Sequence, residues 1–301
     1  MTPTLVRQHP AHADEAPRVD LCARARDWSE IQERMLVPLY EAVYERLEVG
    51  RGTRMLGIGC GSGLALLMAA SRGAAVTGVD HSSPQRLALA RERLLPDAWD
   101  ARARADTRIV DGWPADLASA GDAETPAYTL VTAFEPIGCL AGDSEGLGGL
   151  LRAAAPLAER GAPVVLAGWG PPERCTTSSV LRVATRLADP PPSSRLLSIW
   201  GDPQRSTGSW RPALRDDLEE VAQRAGLKPD GSGRVGCPFG YAGMESAVRG
   251  LLSTGLFDAA VAATDQTQVD KELTEALHPY LRPDGTVWMP NVFRYLIART
   301  P

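Results

Sequence analysis

The chain has 301 residues, 44% of them hydrophobic and 23% charged, with a formal net charge of −5. These are ordinary proportions for a globular enzyme with a sizeable core. The acidic balance, with a pI near 5.5, argues against nucleic acid or an anionic membrane surface as partner, because phosphates are held by clustered Lys and Arg.

Residues 1–17 carry Pro, His and acids without periodicity and lack an apolar signal core, so residues 1–26 read as a mobile N-terminal arm. Residues 27–301 read as a single domain. From about Asp27 to Leu47 the apolar residues Trp28, Ile31, Met35, Leu36, Leu39, Val43 and Leu47 recur at helical spacing, and Gly50 and Gly52 end the run. A short apolar strand, Met55–Ile58, then breaks into glycines at alternate positions, Gly59, Gly61 and Gly63, ahead of a helix over about 64–71. Ala75–Asp80 is a second buried strand ending in an acid. Ser82 or Ser83 caps a helix from Pro84 to Leu94, with proline in the favoured first turn. Thr107–Val110 forms a third strand ending at Asp111, and Tyr128–Phe134 a fourth, followed by a loop that begins at Glu135. A helix over about 144–159 leads to a fifth strand, Pro163–Gly168.

This alternation predicts a doubly wound, mostly parallel α/β sheet, which holds ligands at the carboxyl ends of its strands. After it comes a proline-rich segment, 171–212, around a helix near 178–187. A helix over 214–225 ends at Gly226, and 227–236 reads as a sixth strand. Residues 243–282 read as two helices and 286–299 as a final strand region. No apolar run is long enough to span a membrane. The five cysteines, Cys22, Cys60, Cys139, Cys175 and Cys237, are scattered without a C-x-x-C pair. That pattern argues against zinc and disulfide frameworks and points to a cytoplasmic protein.

The glycine loop is the most informative stretch. Glycine tolerates a left-handed backbone and has no Cβ, so a bound molecule can lie against the main chain at a helix N-terminus. Counted from Gly57 or Gly59, the loop does not fit the dinucleotide fingerprint G-x-G-x-x-G; it fits G-x-G-x-G. Asp80 has the chemistry to accept ribose hydroxyls, or to favour the dipole of the helix that follows. Asp111-Gly112-Trp113 follows the third strand; Trp113 offers a face for a flat ring, and reads equally as a core residue. Glu135 reads as a general base, a cofactor contact or a solvated loop acid. Trp169, after the fifth strand, and Tyr241 are pocket candidates, with a core role the alternative for Trp169. Arg294 could pair a substrate carboxylate, or be a surface residue on an edge strand.

The G-x-G-x-G loop, Asp80 and Asp111 resemble motifs of class I S-adenosylmethionine (SAM) dependent methyltransferases. The run from about Asp27 to Gly168 is similar to the UbiE-like, small-molecule branch, and Asn291–Ala298 looks like the ending of natural-product methyltransferases. The resemblance implies a seven-stranded, Rossmann-like sheet closed by a hairpin of strands six and seven, with helical lid insertions near 171–212 and 240–283. It implies SAM or S-adenosylhomocysteine (SAH) as cofactor. The glycine loop (Gly57, Gly59, Cys60, Gly61, Gly63) would hold it together with Asp80, His81, Asp111, Gly112, Trp113, Phe134 and Glu135. In this pattern Asp80 meets the ribose, Asp111 the adenine amino group, and His81 the adenine ring, though His81 reads equally as a surface residue in a turn. The chain departs from the pattern at Gly57, where the family usually has an acid that helps hold the ammonium of the methionine portion. Glu135, on the strand beside the first, is expected to substitute.

The function implied is O-, N- or C-methylation of a small, hydrophobic metabolite by a monomer or homodimer, with no metal. Two alternatives stand beside it. One is an enzyme that keeps SAM or SAH but catalyses a cyclisation or rearrangement. The other is a non-catalytic binding protein with a degenerate cofactor site.

Overall fold

The computed structural model describes residues 20–95, 106–119, 127–137, 143–188 and 217–301. Asp20 starts the first helix, its carboxylate accepting the amide hydrogens of Cys22 and Ala23 at 3.0 Å each; such a cap satisfies donors that a helix start leaves free. Helix α1 (Leu21–Asp27) continues through a π turn (Trp28–Gln32) and a 3-10 turn (Glu33–Leu36) into α2 (Val37–Arg46). The helical run therefore begins before Asp27, and the boundary expected after residue 26 falls inside it.

Then come β1 (Arg54–Ile58), α3 (Leu64–Ser71), β2 (Ala75–Asp80), α4 (Pro84–Leu94), β3 (Thr107–Asp111), α5 (Pro114–Ser119), β4 (Leu130–Ile137), α6 (Asp143–Ala154) and β5 (Pro163–Trp169). Ser83 caps α4, its hydroxyl accepting the Arg86 amide hydrogen at 3.3 Å. These five strands are parallel, in the order β3-β2-β1-β4-β5. Helices α7 (Thr177–Ala188) and α8 (Asp217–Arg224) precede β6 (Lys228–Gly236). The chain then leaves the sheet through β7 (Phe239–Tyr241), α9 (Met244–Leu252), α10 (Asp258–Ala263), α11 (Gln266–Leu277) and β8 (Val287–Met289). It returns as β9 (Val292–Arg299), antiparallel to both neighbours, between β5 and β6.

The result is the seven-stranded, doubly wound, mostly parallel sheet with helical insertions that the sequence predicted. The excursion between β6 and β9 holds three α-helices where two were expected. Gly255, at φ 84°, separates α9 from α10. Asp265 restarts the chain as α11, its carboxylate accepting the Gln268 amide hydrogen at 2.8 Å. β7 and β8 pair antiparallel and tie the two ends of the excursion together. Of the insertion expected at 171–212, α7 packs on α10 and α11, and residues 189–216 lie outside the described residues.

Side chains alternate between two buried layers, as strands buried on both faces require. Met55, Val76 and Val165 join the cluster containing α2, α3 and the inserted helices, whereas Leu56, Val131 and Leu166 join the one containing α6 and α8. Among the described residues, no helix is long and apolar enough to cross a membrane.

Candidate active site

β1 ends at Ile58 and the chain turns at once. Gly61 and Gly63 take φ values of 54° and 79°, the left-handed region where a Cβ is strained. The Gly59 amide donates to the Val79 carbonyl at 2.8 Å, and the Gly63 amide to the Cys60 carbonyl at 2.9 Å, closing the turn into α3. Asp80, 4% exposed at the end of β2, locks this loop from beside it. Its Oδ2 accepts the Gly61 amide hydrogen at 2.8 Å, and its Oδ1 accepts the Ser82 amide and hydroxyl hydrogens at 2.7 and 2.6 Å. A carboxylate has about four acceptor positions, so one is left for a further donor.

The physical reason for a glycine at 57 lies in packing. Gly57 pairs in register with Gly78 of β2, and Leu66 of α3 fills the trough between them. A Cβ on Gly57 would stand 2.9 Å from Leu66 Cδ2, and one on Gly78 would stand 2.5 Å from Leu66 Cδ1. An acid at 57 has no room while Leu66 stays where it is.

A carboxylate reaches the loop from elsewhere. Glu33, 3% exposed in the 3-10 turn, accepts the Ser62 hydroxyl hydrogen and, at 3.3 Å, the Leu64 amide hydrogen at the start of α3. Arg93 of α4 pairs with it at 2.9 Å and also donates to the Ser62 carbonyl at 2.8 Å and to the Ser29 hydroxyl. Glu33 thus satisfies a donor at a helix N-terminus, where negative charge is favoured. The sequence reading missed it. An acid within an amphipathic run looks like part of a solvated face, and its partner is 60 residues away.

A cavity of about 810 Å³ opens at the carboxyl ends of β1, β4 and β5, within the size range of small-molecule sites. Ile58, Gly59 and Ala133 form its floor, and residues 82–86 at the start of α4 one wall. Trp169, Phe239 and Phe293 form an aromatic wall, with Trp169 4.5 Å from Phe293 and 5.6 Å from Phe239 between ring centroids. The roof combines Leu21, Arg24, Ala25, Trp28 and Gln32 with residues 254–256. Ion pairs hold it down: Arg24 binds both carboxylate oxygens of Asp258, and Arg249 binds Asp27. Arg86 donates to the Ser253 carbonyl at 2.9 Å. A recess of about 30 Å³ adjoins the cavity, bordered by Glu33, Gly57, Cys60, Gly61 and Phe134; Trp28, Leu36, Ile58 and Gly59 border both spaces.

The structure divides the expected site residues. Gly59 and Trp169 border the cavity, and Gly57, Cys60, Gly61 and Phe134 the recess. Gly63 packs against α4 instead, since a Cβ there would stand 2.9 Å from Leu94 Cδ1. Asp80 is fixed beside the loop. His81, Asp111, Gly112 and Trp113 form a separate group beyond β2 and β3, and none of them borders the cavity. The His81 and Trp113 rings stack with centroids 4.4 Å apart. Trp113 is 43% exposed, so it is not a core residue; its amide donates to Asp116 at 2.7 Å. Tyr241 lies in the core rather than on the cavity, its hydroxyl donating to Gln32 Oε1 at 2.9 Å. Arg294 binds a carboxylate of this chain, Glu219 of α8, through both terminal nitrogens, so it is not set in the pocket for a substrate. Glu135 lies in β4, and its side chain is outside the described residues.

No protein-family model matches the chain, and no curated protein is significantly similar to it. Solved structures share its architecture. The YjhP protein of E. coli is 17% identical over 93% of this chain and 99% of its own, with a TM-score of 0.50. A SAM-dependent methyltransferase from Thiobacillus denitrificans, solved with SAH, is 17% identical over 94% of this chain and 99% of its own, with a TM-score of 0.49. The [4+2]-cyclase SpnF is 16% identical over 87% of this chain and 80% of its own, with a TM-score of 0.45. At such identities the likeness is one of fold alone.

Proposed function

We propose that the chain is a SAM-dependent methyltransferase acting on a small, hydrophobic metabolite. One observation carries the reading: Asp80 holds the glycine loop at Gly61, and that loop opens directly onto the cavity. When bound, SAM supplies a methyl group carried on a sulfonium centre. The donor set fits such a molecule. Gly59 and Gly61 let it approach the main chain, and the spare acceptor position of Asp80 suits a ribose hydroxyl. The aromatic wall of Trp169, Phe239 and Phe293 suits an apolar acceptor molecule and keeps water from it, so the protein contributes positioning and exclusion.

Among the described residues bordering the cavity, the titratable ones are Arg24 and Arg86. We assign proton removal to Glu135 where the nucleophile needs it; a nucleophile already deprotonated needs none. We also assign to Glu135, on the strand beside β1, the ammonium contact that Gly57 cannot make. Losing a hydrogen bond to a charged group weakens binding by roughly ten-fold or more. Glu135→Gln is expected to do so for SAM, and an unchanged dissociation constant overturns that assignment.

Titration calorimetry with SAM and with SAH tests the whole reading. Binding of both is expected, followed by a gain of one methylene unit in the mass of an acceptor metabolite. If neither binds, the reading fails. The Leu66-filled trough at Gly57 favours one alternative, an enzyme that retains SAM or SAH while catalysing a cyclisation or rearrangement. Product formation supported equally by SAH would decide for it.

A further inference from the structure

Among the described residues, one buried side-chain polar atom has no hydrogen-bond partner: Nε1 of Trp28. Buried donors in native proteins are almost always paired, and each exception needs an explanation. Trp28 is 9% exposed and borders both the cavity and the recess beside the glycine loop. Its Nε1 lies 3.7 Å from the place a Cβ on Gly61 would occupy. The unpaired N–H therefore stands at the stretch of loop that is bare of side chain.

Two features hold the ring there. The Arg86 guanidinium lies over its face, 4.1 Å from the centroid, a cation–π contact that fixes the ring plane. The π turn at Trp28–Gln32 widens the helix, and both of its end residues border the cavity. Turns of this kind within helices frequently lie at functional sites. The two residues differ in one respect. Gln32 Oε1 is already bonded to the Tyr241 hydroxyl, whereas the Trp28 donor is uncommitted.

We infer that Trp28 is a cofactor-binding residue, its indole N–H donating to an oxygen or nitrogen acceptor of the cofactor against Gly61. The inference rests on the SAM reading above. A carboxylate oxygen of the amino-acid end is the stronger acceptor, because charge shortens and strengthens such bonds; a nucleoside oxygen or nitrogen has the same chemistry in weaker form.

The test is titration calorimetry with SAH and with 5′-methylthioadenosine, which lacks the amino-acid end. It compares the wild type, Trp28→Phe, and a protein carrying 3-benzothienylalanine at position 28, which keeps the bicyclic ring but has no N–H. Both variants are expected to bind SAH roughly ten-fold more weakly and 5′-methylthioadenosine unchanged. Weakening of both ligands supports the inference and puts the acceptor on the nucleoside. Wild-type affinity for SAH in the benzothienyl protein overturns it, whatever becomes of Trp28→Phe. In the wild type, the indole N–H resonance that the benzothienyl protein lacks is expected to move downfield as SAH is added, and a stationary resonance also overturns the inference. Failure of the wild type to bind SAH overturns the cofactor reading itself, and this inference with it, and is thus distinct from failure of the variants alone.

Discussion

The buried carboxylate of Glu33 accepts the hydroxyl hydrogen of Ser62, joining the N-terminal helical run to the glycine loop. Arg93 closes the group by bonding to both residues. Removing one partner of such a buried pair leaves a charge without compensation, which typically costs about 3–5 kcal/mol. Glu33→Ala is expected to lower stability by that amount in urea unfolding, and Arg93→Ala by a similar one. The double variant should lose much less than the sum, because the two side chains share a network. Additive losses would show that they act independently.

Leu66 gives a second prediction. Gly57→Asp restores the acid usual in the resembling family, but its Cβ meets Leu66 at 2.9 Å. Overpacking of this kind costs about 1–3 kcal/mol. The unfolding midpoint of Gly57→Asp should fall, and the same substitution should cost less when made in a Leu66→Ala chain and compared with that chain. A midpoint equal to wild type would mean that the trough yields freely.

Asp80→Asn is the third. The carboxylate collects three donors, the Gly61 amide and the amide and hydroxyl of Ser82. An asparagine must turn an NH₂ toward at least one of them. Stability is expected to fall by about 1–3 kcal/mol, and SAH binding should weaken by more than it does in Trp28→Phe, because the whole loop loosens. Calorimetry on the two variants side by side makes the comparison.

Much of this was legible because it is local. The strand, the alternating glycines and the Ser83-capped, Pro84-started helix are written in consecutive residues. What was missed depends on contacts distant in sequence. Glu33 is indistinguishable from a solvated helical acid until Arg93 is folded against it. Arg294 looks available for a substrate in the sequence, whereas in the fold Glu219 of α8 binds both of its terminal nitrogens. Tyr241 looked like a pocket residue, yet the β7–β8 ribbon turns it into the core against Gln32. The start of α1 was hidden because Asp20 sits at the end of a polar stretch where apolar periodicity has not begun.

Alkaline pH gives the fourth prediction. Burial pushes the Cys237 thiol up to about 12 and raises Cys175, and it raises the Tyr44 and Tyr241 hydroxyls as well. The unfolded chain releases these protons earlier, near about 8.5 for Cys and about 10 for Tyr. The stability these groups contribute is complete below the unfolded values and drains away as pH rises through the folded ones. Melting temperature is expected to fall steadily above about pH 8.5, and Cys237→Ala should flatten the first part of that slope. A flat profile to pH 11 would contradict it.

The Arg24–Asp258 pair binds a residue near the start of the chain to one close to its far end. The sheet likewise waits for β9, its last strand, before β6 has a neighbour. The Arg24–Asp258 pair therefore forms only after Asp258 has been made, and β6 gains its neighbour only with β9. A product truncated just before Asp258 would keep the Arg249–Asp27 pair and lose the Arg24–Asp258 one, so one of the two ion pairs on the roof comes late in synthesis.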